Sequence, residues 1–297
     1  MQGVIAAVPT PVDDTGRPQR GAFLEHCRWA LENGCDGLNI LGSTGEANSL
    51  DTATRRQVMS WAAEGLDTGR LMVGTGTPSL AETVALTAHA DDLGYPVALV
   101  LPPYYYTPPS EQGLIAWYGA LHRALGPRRI AVYFYNYPQM TGFPIPAPVI
   151  EALHRAHPDR FRGIKDSSGD LGYCRSLVAS LPDLRVFPSN EAALAEAAVS
   201  GFAGCISATA NVSAPLCGAL WEGREAPDAD LLQTVSAIRQ AVSAQPLIPA
   251  VKHMVMRRSA DPVWDNVLPP FLPLPPGARD ALATIDLPAP AREQKTS

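Results

Sequence analysis

Short apolar runs rich in β-branched residues alternate along most of the chain with longer segments in which apolar positions recur every third or fourth residue. The short runs predict strands over residues 4–8, 37–41, 71–74, 97–101, 130–135, 163–165, 184–187 and 205–207. The segments between them carry helical stripes: Phe23, Leu24, Cys27, Ala30 and Leu31 form one, and Leu114, Ile115, Tyr118, Leu121 and Leu125 another. Leu171, Cys174, Leu177, Val178 and Leu181 form a third. Ser79 with Glu82 reads as a capping box, Ser110 and Asp170 stand at N-cap positions, and Gly34 and Gly94 come after two helices as stops. Eight strands alternating with eight helices predict a closed parallel α/β fold, the (β/α)8 TIM barrel. An open doubly wound sheet would show a Gly-rich phosphate loop after its first strand; here that place is taken by Pro9-Thr10-Pro11. Residues 1–224 are assigned to the barrel core. Residues 225–297 are assigned to a C-terminal helical extension of the same domain, with a proline-rich connection over 268–276 and a loose tail over 289–297.

Composition narrows the function classes. A chain of 297 residues that is 46% hydrophobic can bury one large core. A net charge of −6 without a basic run argues against nucleic acid and anionic membrane as partners. Five scattered cysteines (Cys27, Cys35, Cys174, Cys205, Cys217) include no Cys-x-x-Cys and predict reduced thiols, with neither a disulfide framework nor a zinc site. The first apolar run lacks a preceding basic region, and no apolar stretch is long enough to span a membrane. A cytoplasmic location is the expectation.

In such a barrel the active site forms where the strands end, so the residues just past each strand test the function. Lys165 ends the sixth strand within Gly163-Ile164-Lys165-Asp166. A buried ammonium is costly unless paired or neutralised, and a desolvated lysine that sheds its proton attacks ketones to form a Schiff base. Its plainer reading is a side chain that reaches solvent or pairs with Asp166. Gly42-Ser43-Thr44-Gly45-Glu46 succeeds the second strand, either as an ordinary turn or as an anion nest of amides and hydroxyls. Glu46 reads as a helix-start charge. Tyr104, Tyr105 and Tyr106 stand after the fourth strand as packing or interface residues, and Tyr135 ends the fifth. Asn190 and Asn211 read as loop or cap residues, and the six histidines as surface or satisfied core. No histidine or acid cluster gathers on this face, which argues against metal hydrolysis and paired-carboxylate chemistry.

Taken in order, Ala7-Val-Pro-Thr-Pro11, Gly42-Ser-Thr-Gly-Glu46, Gly74-Thr-Gly76, Pro103-Tyr-Tyr105, Tyr135-Asn-Tyr-Pro138, Gly163-Ile-Lys-Asp166 and Ile206-Ser-Ala-Thr-Ala-Asn211 span nearly the whole chain. The set resembles the dihydrodipicolinate synthase / N-acetylneuraminate lyase family of class I pyruvate aldolases. The resemblance implies that Lys165 is the Schiff-base lysine and Tyr135 its proton shuttle. It implies that Ser43 and Thr44 grip the ketoacid carboxylate, with Ser43 also in the proton relay. Tyr105 matches the tyrosine lent across a dimer interface, with Tyr106 as the alternative. Ile206 matches the residue whose backbone carbonyl meets the ketoacid. Neither metal nor cofactor is implied, because the iminium serves as electron sink. A homotetramer built as a dimer of dimers is the implied assembly.

The resemblance also has a departure. Synthases of the family carry an arginine two residues after the motif proline; here Met140 stands there and cannot hold an aldehyde's carboxylate. The tyrosine motifs look more like those of 2-keto-3-deoxy sugar acid aldolases. Thr107-Pro108-Pro109 stands where an arginine holds phosphorylated sugars, which points to an unphosphorylated substrate. Tyr137, Ser189, Asn190 and Ser207 are candidates to meet sugar hydroxyls. The expected reaction is cleavage or formation of a 2-keto-3-deoxy sugar acid, or a related 4-hydroxy-2-oxoacid, through a pyruvate enamine. The alternatives are a 4-hydroxy-tetrahydrodipicolinate synthase, a dehydratase on such acids, and a non-catalytic ketoacid sensor.

Overall fold

All eight strands form, as parallel neighbours in one sheet: β1 Gly3–Ala7, β2 Gly37–Ile40, β3 Leu71–Gly74, β4 Val97–Val100, β5 Ala131–Asn136, β6 Phe161–Asp166, β7 Arg185–Pro188 and β8 Gly204–Ser207. The structure, a computed structural model, describes residues 1–288; the tail expected over 289–297 lies outside the described residues. Strand order runs β7-β6-β5-β4-β3-β2-β1-β8. The residue before β8 stitches the two ends together: Ala203 N donates to Val186 O at 2.9 Å and Gly3 N donates to Ala203 O at 2.7 Å. The result is a nearly closed (β/α)8 TIM barrel.

Helices α1 Arg20–Glu32, α2 Thr52–Gly65, α3 Leu80–Asp92 and α4 Glu111–Leu125 come after the first four strands. A short turn α5 Pro138–Thr141 precedes α6 Ala147–Ala156; α7 Leu171–Ser180, α8 Ala197–Ser200 and α9 Ala210–Glu222 complete the ring. Strand residues are buried on both faces, which explains why their runs do not alternate with polar positions. Ile5, Met72, Leu99, Tyr133, Phe187 and Ile206 fill the barrel interior, whereas Val4, Ile40, Val73, Phe134, Ile164 and Val186 pack outward against helices. Gly163 is required by this filling, since a Cβ there would lie 2.7 Å from the Tyr133 ring. The predicted caps form: Ser79, Ser110 and Asp170 accept from the amides of Glu82, Gly113 and Tyr173. The box at Ser79 is only half made, because Glu82 accepts instead from the Thr52 hydroxyl.

The extension adds α10 Ala229–Ser243, α11 Leu247–Ser259 and α12 Pro276–Ala283. Val212 of α9 joins Ile238, Val242, Val251, Met254 and Leu282 in a separate apolar cluster that holds these helices together. Among the described residues no helix is long and apolar enough to cross a membrane.

A polar network ties α11 to the barrel. Arg258 Nη2 donates to His26 Nδ1 at 2.8 Å, so His26 Nε2–H donates to Asn211 Oδ1 at 2.9 Å. Asn211 in turn donates to the Ala7 and Ala208 carbonyls. Burial, then the Arg258 charge, hold the His26 pKa down to about 3 from its ordinary 6.5, against the opposing bond to Asn211. Below pH 6.5 the unfolded chain therefore binds a proton that the folded chain refuses. Stability from this group is complete above pH 6.5 and falls by up to about 1.4 kcal/mol per unit as the pH drops towards 3. Melting temperature measured from pH 7 to pH 4 should fall less steeply in His26→Gln than in the wild type, and equal slopes would remove His26 as the cause.

Candidate active site

Tyr135 and Lys165 are register partners on β5 and β6 and both point into the barrel mouth, 3% and 4% exposed. Lys165 Nζ donates to Tyr135 Oη at 3.1 Å and lies 4.3 Å from that ring's centroid. Tyr135 Oη is 3.4 Å from Ser43 Oγ. Strand alternation sends the next pair, Asn136 and Asp166, the other way. Asn136 Nδ2 donates to Asp166 Oδ1 at 2.6 Å, and the Ser168 amide and hydroxyl donate to Asp166 Oδ2. Asp166 is thus consumed in holding its own loop and is no counter-ion for Lys165. Burial raises its carboxyl pKa, partly offset by the bonds from Ser168 and Asn136.

The turn carrying Ser43 and Thr44 leaves β2 through Leu41, whose φ of 55° is left-handed without being glycine. Gly74 on the neighbouring strand makes room, since a Cβ there would sit 2.2 Å from Leu41 O. The turn closes with Gly45 N donating to Gly42 O and Glu46 N to Ser43 O, and Thr10 Oγ1 donates to Gly45 O at 2.8 Å. Ser43 and Thr44 of this turn both line the cavity.

These groups surround a cavity of about 240 Å³ lined also by Tyr137, Ser189, Ile206, Ser207, Thr209 and Arg239. A neighbouring cavity of about 220 Å³ shares Ser43, Tyr135 and Met140 with it. Tyr137 stacks on Tyr135 at 5.6 Å, and burial raises its phenol pKa. Ser207 is present but committed: its hydroxyl donates to Glu191 Oε1 at 2.7 Å. Asn190 is not among the residues lining that cavity; its side chain accepts from the Ala192 amide at 3.0 Å, as a cap does. Tyr105 and Tyr106 lie outside the cavity, 76% and 85% exposed, with rings packed edge-to-face.

Several buried or cavity-lining positions escape a reading of the sequence. Glu191 is fully buried, accepting from Ser207, Thr209 and Arg239, the last at 2.6 Å. Arg239 and Ser243 of α10, with Leu247 and Ile248 of α11, make the extension a wall of the cavity. Glu46 is not a helix-start charge: it is 3% exposed, sits between two single turns, and its carboxylate accepts from Lys252 Nζ at 2.7 Å. One signal points to Lys252. Of 23 Lys and Arg residues only Lys165, Lys252 and Lys295 are lysines, so a lysine is the exception in this chain. Among the described residues no three His, Cys, Asp or Glu side chains converge where they could hold a metal ion, and the five cysteines are free and buried.

Comparison with known proteins places this geometry. The model of the dihydrodipicolinate synthetase family matches residues 1–285. A protein of Chloroflexus aurantiacus described as an uncharacterized DapA-like lyase is 33% identical over 282 residues, covering 92% of each chain. A 4-hydroxy-tetrahydrodipicolinate synthase of Rhodospirillum centenum is 33% identical over 220 residues, 73% of each. The crystal structure of dihydrodipicolinate synthase from Agrobacterium tumefaciens superposes with a TM-score of 0.87 at 28% identity, covering 95% of this chain and 97% of that one. With the family match running from before the first strand of the (β/α)8 barrel through the last helix of the extension, the chain belongs to the dihydrodipicolinate synthetase family and is an enzyme of its lyase class.

Proposed function

We propose that the protein is a Schiff-base aldolase that cleaves or forms a 2-keto-3-deoxy sugar acid, or a related 4-hydroxy-2-oxoacid, with pyruvate as the covalently held half. The observation that carries this reading is the chain of contacts Lys165 Nζ–Tyr135 Oη–Ser43 Oγ, 3.1 and 3.4 Å long, in the wall of a cavity with hydroxyls at its rim. The Lys165 amine, as the free base, adds to C2 of the ketoacid. Tyr135 passes protons as the carbinolamine loses water, and Ser43 extends that path. The C4 hydroxyl then gives its proton to Tyr135 as the C4=O bond forms and the C3–C4 bond breaks, its electron pair passing to the iminium; the aldehyde leaves, and the resulting enamine takes that proton back at C3. Hydrolysis returns pyruvate and the amine, so the reaction calls on neither metal nor cofactor.

Ser43 and Thr44 grip the ketoacid carboxylate, and the Ile206 carbonyl closes the opposite side. Tyr137, Ser189 and Arg239 offer donors to an oxygen-rich second half. The exposed Tyr105 is offered to a partner's site in a homotetramer of paired dimers, with Tyr106 as the alternative. A cytoplasmic location fits five free thiols. The synthase reading is supported by the relatives of that name and opposed by Met140, which brings an apolar thioether to the cavity rim.

Borohydride added with pyruvate should leave a stable adduct on the peptide that carries Lys165. No adduct under saturating pyruvate would sink the reading. Turnover with unphosphorylated 2-keto-3-deoxy acids and none with aspartate semialdehyde separates the aldolase from the synthase.

A further inference from the structure

Glu46 and Lys252 form a buried ion pair that no step of the proposed reaction uses. Both side chains are 0% exposed. Each carboxylate oxygen of Glu46 has a partner: Oε1 accepts from Lys252 Nζ of α11 at 2.7 Å, and Oε2 from the Leu268 amide at 2.6 Å. Those partners lie 206 and 222 residues further along the chain. One carboxylate therefore joins the β2 loop to two separate stretches of the extension.

The loop needs such a tie. It is bracketed by two non-glycine residues in the left-handed region, Leu41 at φ 55° and Glu46 at φ 54°. Backbone of that kind persists only where the surroundings over-determine it. The tie from Thr10 to Gly45 O fixes the turn from the β1 side, and Glu46 fixes it from the extension. Ser43 Oγ sits 3.4 Å from Tyr135 Oη, at the long end of a hydrogen bond, so a shift of a few tenths of an ångström breaks the path. A buried ion pair is a poor source of stability compared with apolar packing, so stability alone does not account for this one.

We propose that Glu46 and Lys252 form a positioning latch through which the C-terminal extension sets the Ser43–Thr44 turn, and with it the affinity for the ketoacid carboxylate. The proposal rests on the aldolase reading above. Neither residue is catalytic; both act through Ser43 and Thr44.

The test uses the full chain and four variants: Glu46→Gln, Lys252→Met, the double variant, and the milder Glu46→Asp, whose shorter arm cannot reach both partners. Borohydride-trapped adduct is measured against pyruvate concentration, beside the melting temperature and kcat. Each single variant should raise half-saturating pyruvate about tenfold or more, beyond any loss of kcat. The double variant should regain melting temperature, because no charge is left unpaired, without regaining pyruvate affinity. Half-saturation unchanged in the variants that fold, or affinity restored together with stability in the double variant, overturns the latch. Absence of an adduct in the wild type instead overturns the aldolase reading before the latch is reached.

Discussion

Lys165→Ala will leave no borohydride-reducible adduct with pyruvate and will lower turnover by roughly 10⁴-fold or more. No other lysine of the described chain can take over, because Lys252 is fully buried and held by Glu46. Arginine will not rescue the activity, since a guanidinium keeps its proton and cannot become the nucleophile. The variant should fold. Among the described residues the Lys165 ammonium makes one hydrogen bond, to Tyr135, and no ion pair, so its removal strands no charge. Mass spectrometry of the trapped protein with a coupled pyruvate assay reads both outcomes. An adduct of wild-type mass in the Ala variant would place the imine elsewhere and undo the assignment of the whole strand-end constellation.

Tyr135→Phe should cost turnover about 10²- to 10⁴-fold while leaving the adduct able to form. The substitution removes only the oxygen that stands between Lys165 Nζ and Ser43 Oγ. The ring keeps its stack on Tyr137 and its place under the Lys165 ammonium. The loss should therefore fall on the proton-transfer steps: adduct formation after rapid mixing slows, whereas the final trapped fraction at saturating pyruvate is near that of the wild type. A turnover within about threefold of wild type would mean that another group or a water carries the proton.

The two variants also show how far the site was legible before the fold. Tyr135 and Lys165 could be read because each ends a strand, and a parallel barrel gathers its strand ends on one face. Their contact needed only the β5–β6 pairing that consecutive strands make. Boundaries were less legible. The sixth strand was expected over residues 163–165 and runs Phe161–Asp166, because the exposed Arg162 interrupts the apolar signal. Asp166 consequently belongs to the strand and faces away from Lys165, which no reading of adjacent residues could decide.

The extension was legible as helices and not as part of the site. Its helical periods are local, so they predict that α10 and α11 exist and leave open what they cover. That Arg239 reaches Glu191, 48 residues away, and Lys252 reaches Glu46, 206 residues away, depends on where α10 and α11 land across the barrel mouth.

Local pattern in the chain was therefore enough for the eightfold alternation and for the face on which Lys165 and Tyr135 meet. Each of these comes from short-range periodicity or from a strand's end. Which charges neutralise one another was settled by packing alone. Glu46 and Glu191 look like ordinary loop acids along the chain and become fully committed partners once the fold removes them from water. A buried charge takes its role from the group that compensates it, and in this chain those groups arrive from distant segments.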